Sequence, residues 1–167
     1  MAVSLYGSGQ TILQVQSSVL STLASFAPNS GVYQASGLSV SITPFSTSSK
    51  ILISGFIQVS SQNNLNIYLH LYKNGSQITP NGTATGQTPS NCYINFGTGV
   101  AGNAGGSVPM HFTFVDSPST TSACTYAVYV AANSAGVVNL EINPTTSGGG
   151  GSPGGNSFIC VQEISGA

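Results

Sequence analysis

Gly37-Leu-Ser-Val-Ser-Ile-Thr-Pro-Phe-Ser-Thr-Ser-Ser-Lys-Ile-Leu-Ile53 reads as two strands and the corner between them. Leu38, Val40 and Ile42 alternate with Ser39, Ser41 and Thr43, the period of two expected when one face of a strand is buried and the other is wet. Pro44 has no backbone N–H to give and stops the ladder. The hydroxyls of residues 46–49 can bend the chain by bonding to its own backbone, so this run is read as a turn and not as a source of nucleophiles. Phe45 and Lys50 are assigned to packing and solvent, and a second strand follows over 51–60.

The same grammar continues on both sides. Upstream, 11–15 is a short first strand; in 17–27 Val19, Leu20, Leu23 and Phe26 have roughly helical spacing, but the Ser and Thr there are mediocre helix formers, so the stretch is expected to be irregular or extended, with a single helical stretch as the alternative. Downstream, Ile51, Ile53, Ile57 and Val59 share one face with Gly55, while Leu52 and Phe56 sit on the other. A strand apolar on both faces belongs at the centre of its sheet or under a second layer. In 65–73, Leu65, Ile67, Leu69 and Leu71 point one way and Tyr68, His70 and Tyr72 the other. Asn74-Gly75 follows at once, the pair that tolerates the positive φ angles of a type I′ hairpin turn, and a return strand is expected near 77–79. Further strands fall at 92–96, 108–115 (Met110, Phe112 and Phe114 inward), 125–131, 137–142 and 158–164. The polar 83–90 stretch and the glycine-rich runs 97–106 and 143–156 read as surface loops.

About nine short strands separated by turns predict an all-β protein, a jelly-roll-like two-sheet β-sandwich. The expected organisation is an N-terminal arm with the first strand over 1–16, followed by a single β-sandwich domain over 17–167.

Composition bounds the function. The chain has 167 residues, of which only 3% are charged, with a net charge of -1, against about 25% charged in ordinary soluble domains. Neutral polar side chains carry the solubility, which suits a protein packed against copies of itself or a larger assembly. Two lysines and no arginine give nothing to neutralise phosphates or hold an anionic membrane surface, so neither nucleic acid nor membrane is expected as a partner. The opening residues lack the pattern of a secretory signal, and synthesis and assembly in a cytoplasm are expected. Cys92, Cys124 and Cys160 are an odd set, read as buried free thiols, with one bridge plus one thiol as the alternative.

Catalytic signatures are weak. No Gly-x-Ser-x-Gly elbow accompanies His70 and His111, and His70, Cys92, His111, Cys124 and Cys160 are too scattered for a metal motif. Glycoside cleavage would need a carboxylate pair drawn from Asp116, Glu141 and Glu163, of which Glu141 and Glu163 could lie on adjacent strands. The expectation is therefore no enzyme, no cofactor and no metal. The Tyr68, His70, Tyr72 row is the candidate interface or ligand face, since aromatics with polar tips suit contacts dry at one end and hydrogen-bonded at the other.

The Gly37–Ile53 block and Phe114-Val-Asp-Ser-Pro-Ser-Thr-Thr-Ser-Ala-Cys-Thr-Tyr126 resemble a family of virion structural proteins of tailed bacteriophages, tail-fibre-like or capsid-decorating, seen in phages of cyanobacteria. Gly-x-x-Ile-x-Gln-Val-Gln (9–16), the hairpin Leu-Tyr-Lys-Asn-Gly-Ser (71–76) and a closing Gln162-Glu163-Ile164 fit the same order. Lys73-Asn74 stands where relatives often carry an arginine before the hairpin glycine. The resemblance implies a sandwich that trimerises on the virion surface and brings no catalytic residues. The leading expectation is a homotrimeric capsid decoration or cement protein bound to the major capsid protein or other virion proteins. The alternative is a tail-fibre receptor-binding tip that recognises host glycan.

Overall fold

A computed structural model describes residues 10–26, 32–61, 66–78, 92–95, 107–132, 140–144 and 155–166. These form eleven strands: β1 (Ile12–Leu20), β2 (Ala24–Phe26), β3 (Gln34–Ile42), β4 (Lys50–Ser61), β5 (Asn66–Lys73), β6 (Ser76–Gln77), β7 (Cys92–Asn95), β8 (Val108–Asp116), β9 (Cys124–Ala132), β10 (Leu140–Ile142) and β11 (Ser157–Ile164). The first sheet runs β1-β11-β4-β10-β2 with β8 on the other side of β4, and the second runs β3-β9-β5-β6 with β7 also on β5. All pairings are antiparallel. The protein is an antiparallel two-sheet β-sandwich, with no helix among the described residues.

The corner after Ile42 is where the chain changes sheets, since β3 belongs to the second sheet and β4 to the first. Its bend is local chemistry: Ser48 N–H donates to Ser46 Oγ at 3.2 Å, and Ser49 N–H donates to the Ser46 carbonyl at 3.2 Å. Leu38, Val40 and Ile42 are buried while Ser39 and Ser41 are exposed, as the alternation requires. β4 is central, flanked by β8 on one side and by β11 and β10 on the other. Ile51, Ile53, Ile57 and Val59 enter the core with Ile67, Leu69 and Leu71 of β5 and Val128 and Val130 of β9. Burying a Leu or Ile side chain of this kind stabilises the fold by roughly 1.5–3 kcal/mol.

At the hairpin, Asn74 and Gly75 have φ of 49° and 79°, and β6 pairs back on β5 through Tyr72 and Lys73. The return strand begins at Ser76, one residue before the expected 77.

The first strand runs further than expected, and 17–26 takes the extended form of the two expected for it. β1 continues through position 16 to Leu20, and β2 forms at 24–26. The extended form wins because β11 supplies a complete partner, from Ile12 opposite Ile164 to Leu20 opposite Ser157. Among the described residues the strand that was not expected as a separate element is β2, three residues long and paired with β10. Leu65, the loops 83–90 and 97–106, residues 137–139 and most of the 143–156 stretch lie outside the described residues.

Two polar clusters hold the ends of the sandwich. At one end, Asn143, buried and at φ 52°, donates to the Leu20 carbonyl at 2.7 Å and accepts from Ser157 Oγ at 2.6 Å. Its backbone N–H reaches the Gln58 carbonyl at 3.0 Å. The other end is organised by two acids, described below.

Across the outer face of the first sheet, Val19, Phe158, Phe56 and His111 share one row, and Val15, Gln162, Leu52 and Val115 another. Among the described residues of this face only Lys50, at the corner end, and Glu141, beside Ser60 at the far end of β4, are charged.

Candidate functional site

The Tyr68, His70, Tyr72 row lies on the outer face of the second sheet, because Ile67, Leu69 and Leu71 take the core positions of β5. Antiparallel register sets Ala131, Tyr129 and Ala127 of β9 opposite these residues. Yet the row is largely covered: Tyr68 is 9% exposed and His70 1%, and Tyr72 is half-buried. Tyr33 meets the His70 ring edge-on, with centroids 4.3 Å apart, and Gln77 Nε2 lies 3.3 Å from His70 Nε2. Tyr72 stacks on Tyr129 at 3.8 Å. The row is thus part of a five-ring cluster that forms a second, smaller packed layer.

Two of its hydroxyls, those of Tyr33 and Tyr72, are poor acids. Burial, with the neighbouring Tyr72 and Tyr68, pushes the Tyr33 phenol well above its ordinary value, and burial followed by Tyr129 raises that of Tyr72. Tyr33 and Tyr72 therefore present neutral donors and ring surface, not nucleophiles. Tyr33, Gln77 and Tyr129 were not legible as members. Tyr129 had a signal in the alternation of β9, but only the β5–β9 register shows which residues it joins.

The acids occupy structural positions. Asp116 Oδ2, on β8 of the first sheet, accepts from Lys73 Nζ at 2.8 Å and from the Tyr126 hydroxyl at 2.7 Å, both on the second sheet. Burial first, then the hydrogen bond to Asp116 and its charge, raises the Tyr126 phenol strongly. Cys124 beside them is a buried free thiol, raised chiefly by burial against the opposing charge of Lys73. Glu163, fully buried on β11, accepts from Phe45 N–H at 2.7 Å and from Gln14 Nε2 at 2.6 Å. Burial pushes its carboxyl up, but the Ser49 hydroxyl, the Gln14 amide and the N–H groups of Phe45 and Ser46 outweigh that, and the net shift is downward.

Glu141 and Glu163 are not neighbours. Glu163 pairs with Ile51 and Glu141 with Ser60, so they sit at opposite ends of β4, about 30 Å apart on a strand rising about 3.3 Å per residue. That removes the adjacent-strand carboxylate pair. His70 and His111 lie on the outer faces of different sheets, His111 beside Phe56 with ring centroids 5.7 Å apart. No group of three metal-ligating side chains occurs among the described residues. Cys160 is a second free thiol, half-buried on the first sheet, and the side chain of Cys92 lies outside the description.

No protein-family model matches the chain, and no curated protein matches it.

Proposed function

We propose that this chain is a virion structural protein: a homotrimeric decoration, or cement, subunit on the outer surface of a tailed-phage capsid, assembled in the host cytoplasm. The observation that carries this reading is the placement of its few charges. Asp116 and Lys73 are spent on each other and Glu163 on the corner, inside the sandwich. Outward stand only Lys50 and Glu141, of opposite sign and at opposite ends of β4, so the sheet surface that is left is broad and nearly neutral, apolar along part of the first sheet. Such surfaces can be packed at high density beside identical copies without like-charge repulsion. The resemblance of the Gly37–Ile53 and Phe114–Tyr126 blocks points the same way.

The mechanism is mass action. A subunit that binds assembled shell and not free shell protein stabilises the assembled state by its binding free energy. The rival reading, a fibre tip that grips host glycan with Tyr68, His70 and Tyr72, draws less support, since Tyr68 and His70 are buried and offer no open ring for a sugar to stack upon. Heating and osmotic shock of phage particles with and without the protein test the proposal. Particles lacking it should release their contents at lower temperature, and equal stability would contradict the reading.

A further inference from the structure

β1 is an open sheet edge of an unusual kind. It pairs with β11 on one side, and among the described residues no strand pairs with its other side. An exposed row of backbone N–H and C=O groups invites another strand, and proteins ordinarily guard it with Lys, Pro, inward charges or brevity. Here Ile-Leu-Gln-Val-Gln-Ser-Ser-Val-Leu runs for nine residues with no charge, no proline and no glycine. Its side chains add apolar surface, with Val15 52% and Val19 58% exposed and Ile12 and Leu13 also open.

We infer that β1 pairs antiparallel with β1 of a second copy across a two-fold axis, joining the first sheets of two molecules into one. Three observations select a second copy as the occupant. The strand carries no charge that would favour a partner of opposite sign. The sheet face continuous with it carries, among the described residues, two charges of opposite sign, Lys50 on β4 and Glu141 beyond it on β10, both set back from the β1 edge, so two copies meet without repulsion. A strand pairing with itself also satisfies both edges at once, the isologous contact of two-fold assemblies. An axis through Gln16 sets Ile12 opposite Leu20, Leu13 opposite Val19 and Val15 opposite Ser17 of the second copy. Odd-numbered side chains from Val15 to Val19 then stay on one face, where they extend the Val19–Phe158–Phe56 row across the junction. This two-fold contact goes beyond the three-fold assembly proposed above, and would link one trimer to the next.

The test is the solution mass, by light scattering, of the full chain and of the V15K/V19K variant, with S39K/S41K on the outer face of the second sheet as the control. Both pairs replace outward, exposed or nearly exposed side chains, and circular dichroism with a melting curve checks that each variant is folded. The wild-type mass should fall at least twofold in V15K/V19K and stay unchanged in S39K/S41K. If the three-fold reading is right, the edge variant remains a trimer, and if that reading alone is wrong, it becomes a monomer from a dimeric wild type. Hydrogen exchange adds a second readout: β1 amides should be protected in the wild type and exchange faster in the edge variant. Equal masses for wild type and V15K/V19K would overturn the inference. So would a wild type that associates only after residues 1–9 are deleted, because that segment would then be the occupant of the edge.

Discussion

Glu163 on the last strand and Phe45 in the β3–β4 corner are joined by a 2.7 Å hydrogen bond, backbone N–H to carboxylate, so the acid closes the corner that carries the chain from one sheet to the other. Gln14 completes the arrangement: its amide nitrogen donates to Glu163 at 2.6 Å and to the Thr43 carbonyl at 2.7 Å. Both carboxylate oxygens thus face donors, and one end of the sandwich is held by a side chain that must be ionised to accept from both.

Replacing Glu163 by Gln keeps the shape and spoils this pattern. One end of the new amide must donate, and it meets either Phe45 N–H or the Gln14 amide, which cannot turn without losing Thr43. A buried donor left unsatisfied costs about 1–3 kcal/mol. Urea unfolding of E163Q at neutral pH should show a loss in that range with an unchanged slope.

The same residue sets part of the acid sensitivity. Its folded-state carboxyl lies below the ordinary value, so the folded form binds the proton more weakly than the unfolded form. Its contribution is full above the unfolded value of about 4.3 and is lost as pH falls through the lowered folded one. Melting temperature followed downward from neutrality should therefore drop more steeply in the wild type than in E163Q. Parallel curves would count against it.

Asp116 links the sheets through two partners of different worth. Lys73 reaches it from a partly exposed position, where an ion pair contributes about 0–1 kcal/mol. Tyr126 is fully buried and donates to the same oxygen, and a hydrogen bond to a charged group is worth about 1.5–3 kcal/mol. Denaturant titration should rank Y126F as more destabilising than K73M, and the reverse order would show that the ion pair dominates.

Two glycines should fail for different reasons. A Cβ on Gly55 would collide with the Phe158 carbonyl oxygen and lie 2.8 Å from the Phe112 ring, so G55A forces β4 and β11 apart and should cost at least the roughly 1–3 kcal/mol typical of overpacking. Gly75 has nothing within 4 Å, but its φ is 79°, and G75A should cost only about 1 kcal/mol of backbone strain. Melting curves of the two variants distinguish them directly.

The parts of this fold that could be read in the chain are those where one residue's neighbours in sequence decide its environment. Leu38, Val40 and Ile42 alternate, Asn74-Gly75 turns, and Ile51 to Val59 is apolar on alternate positions, so strand, hairpin and central placement follow locally. Residues 17–20 were legible as irregular or extended but not as a continuation of the first strand, because β11 decides that from the other end of the chain. The aromatic row was legible as a face but not as a buried one, since Tyr33 and Tyr129 come from other strands. The acids gave no hint of their roles: Glu163 and Phe45 are 118 positions apart, as are no local pattern's partners.

The protein is proposed to coat a phage shell. Its copy number relative to the major capsid protein, measured by quantitative mass spectrometry of purified phage particles, tests that claim most directly. A decoration subunit should be present at a fixed ratio near that of the shell protein and should leave the particles with the heads when tails are sheared away. A few copies per particle, travelling with the tails, would contradict it.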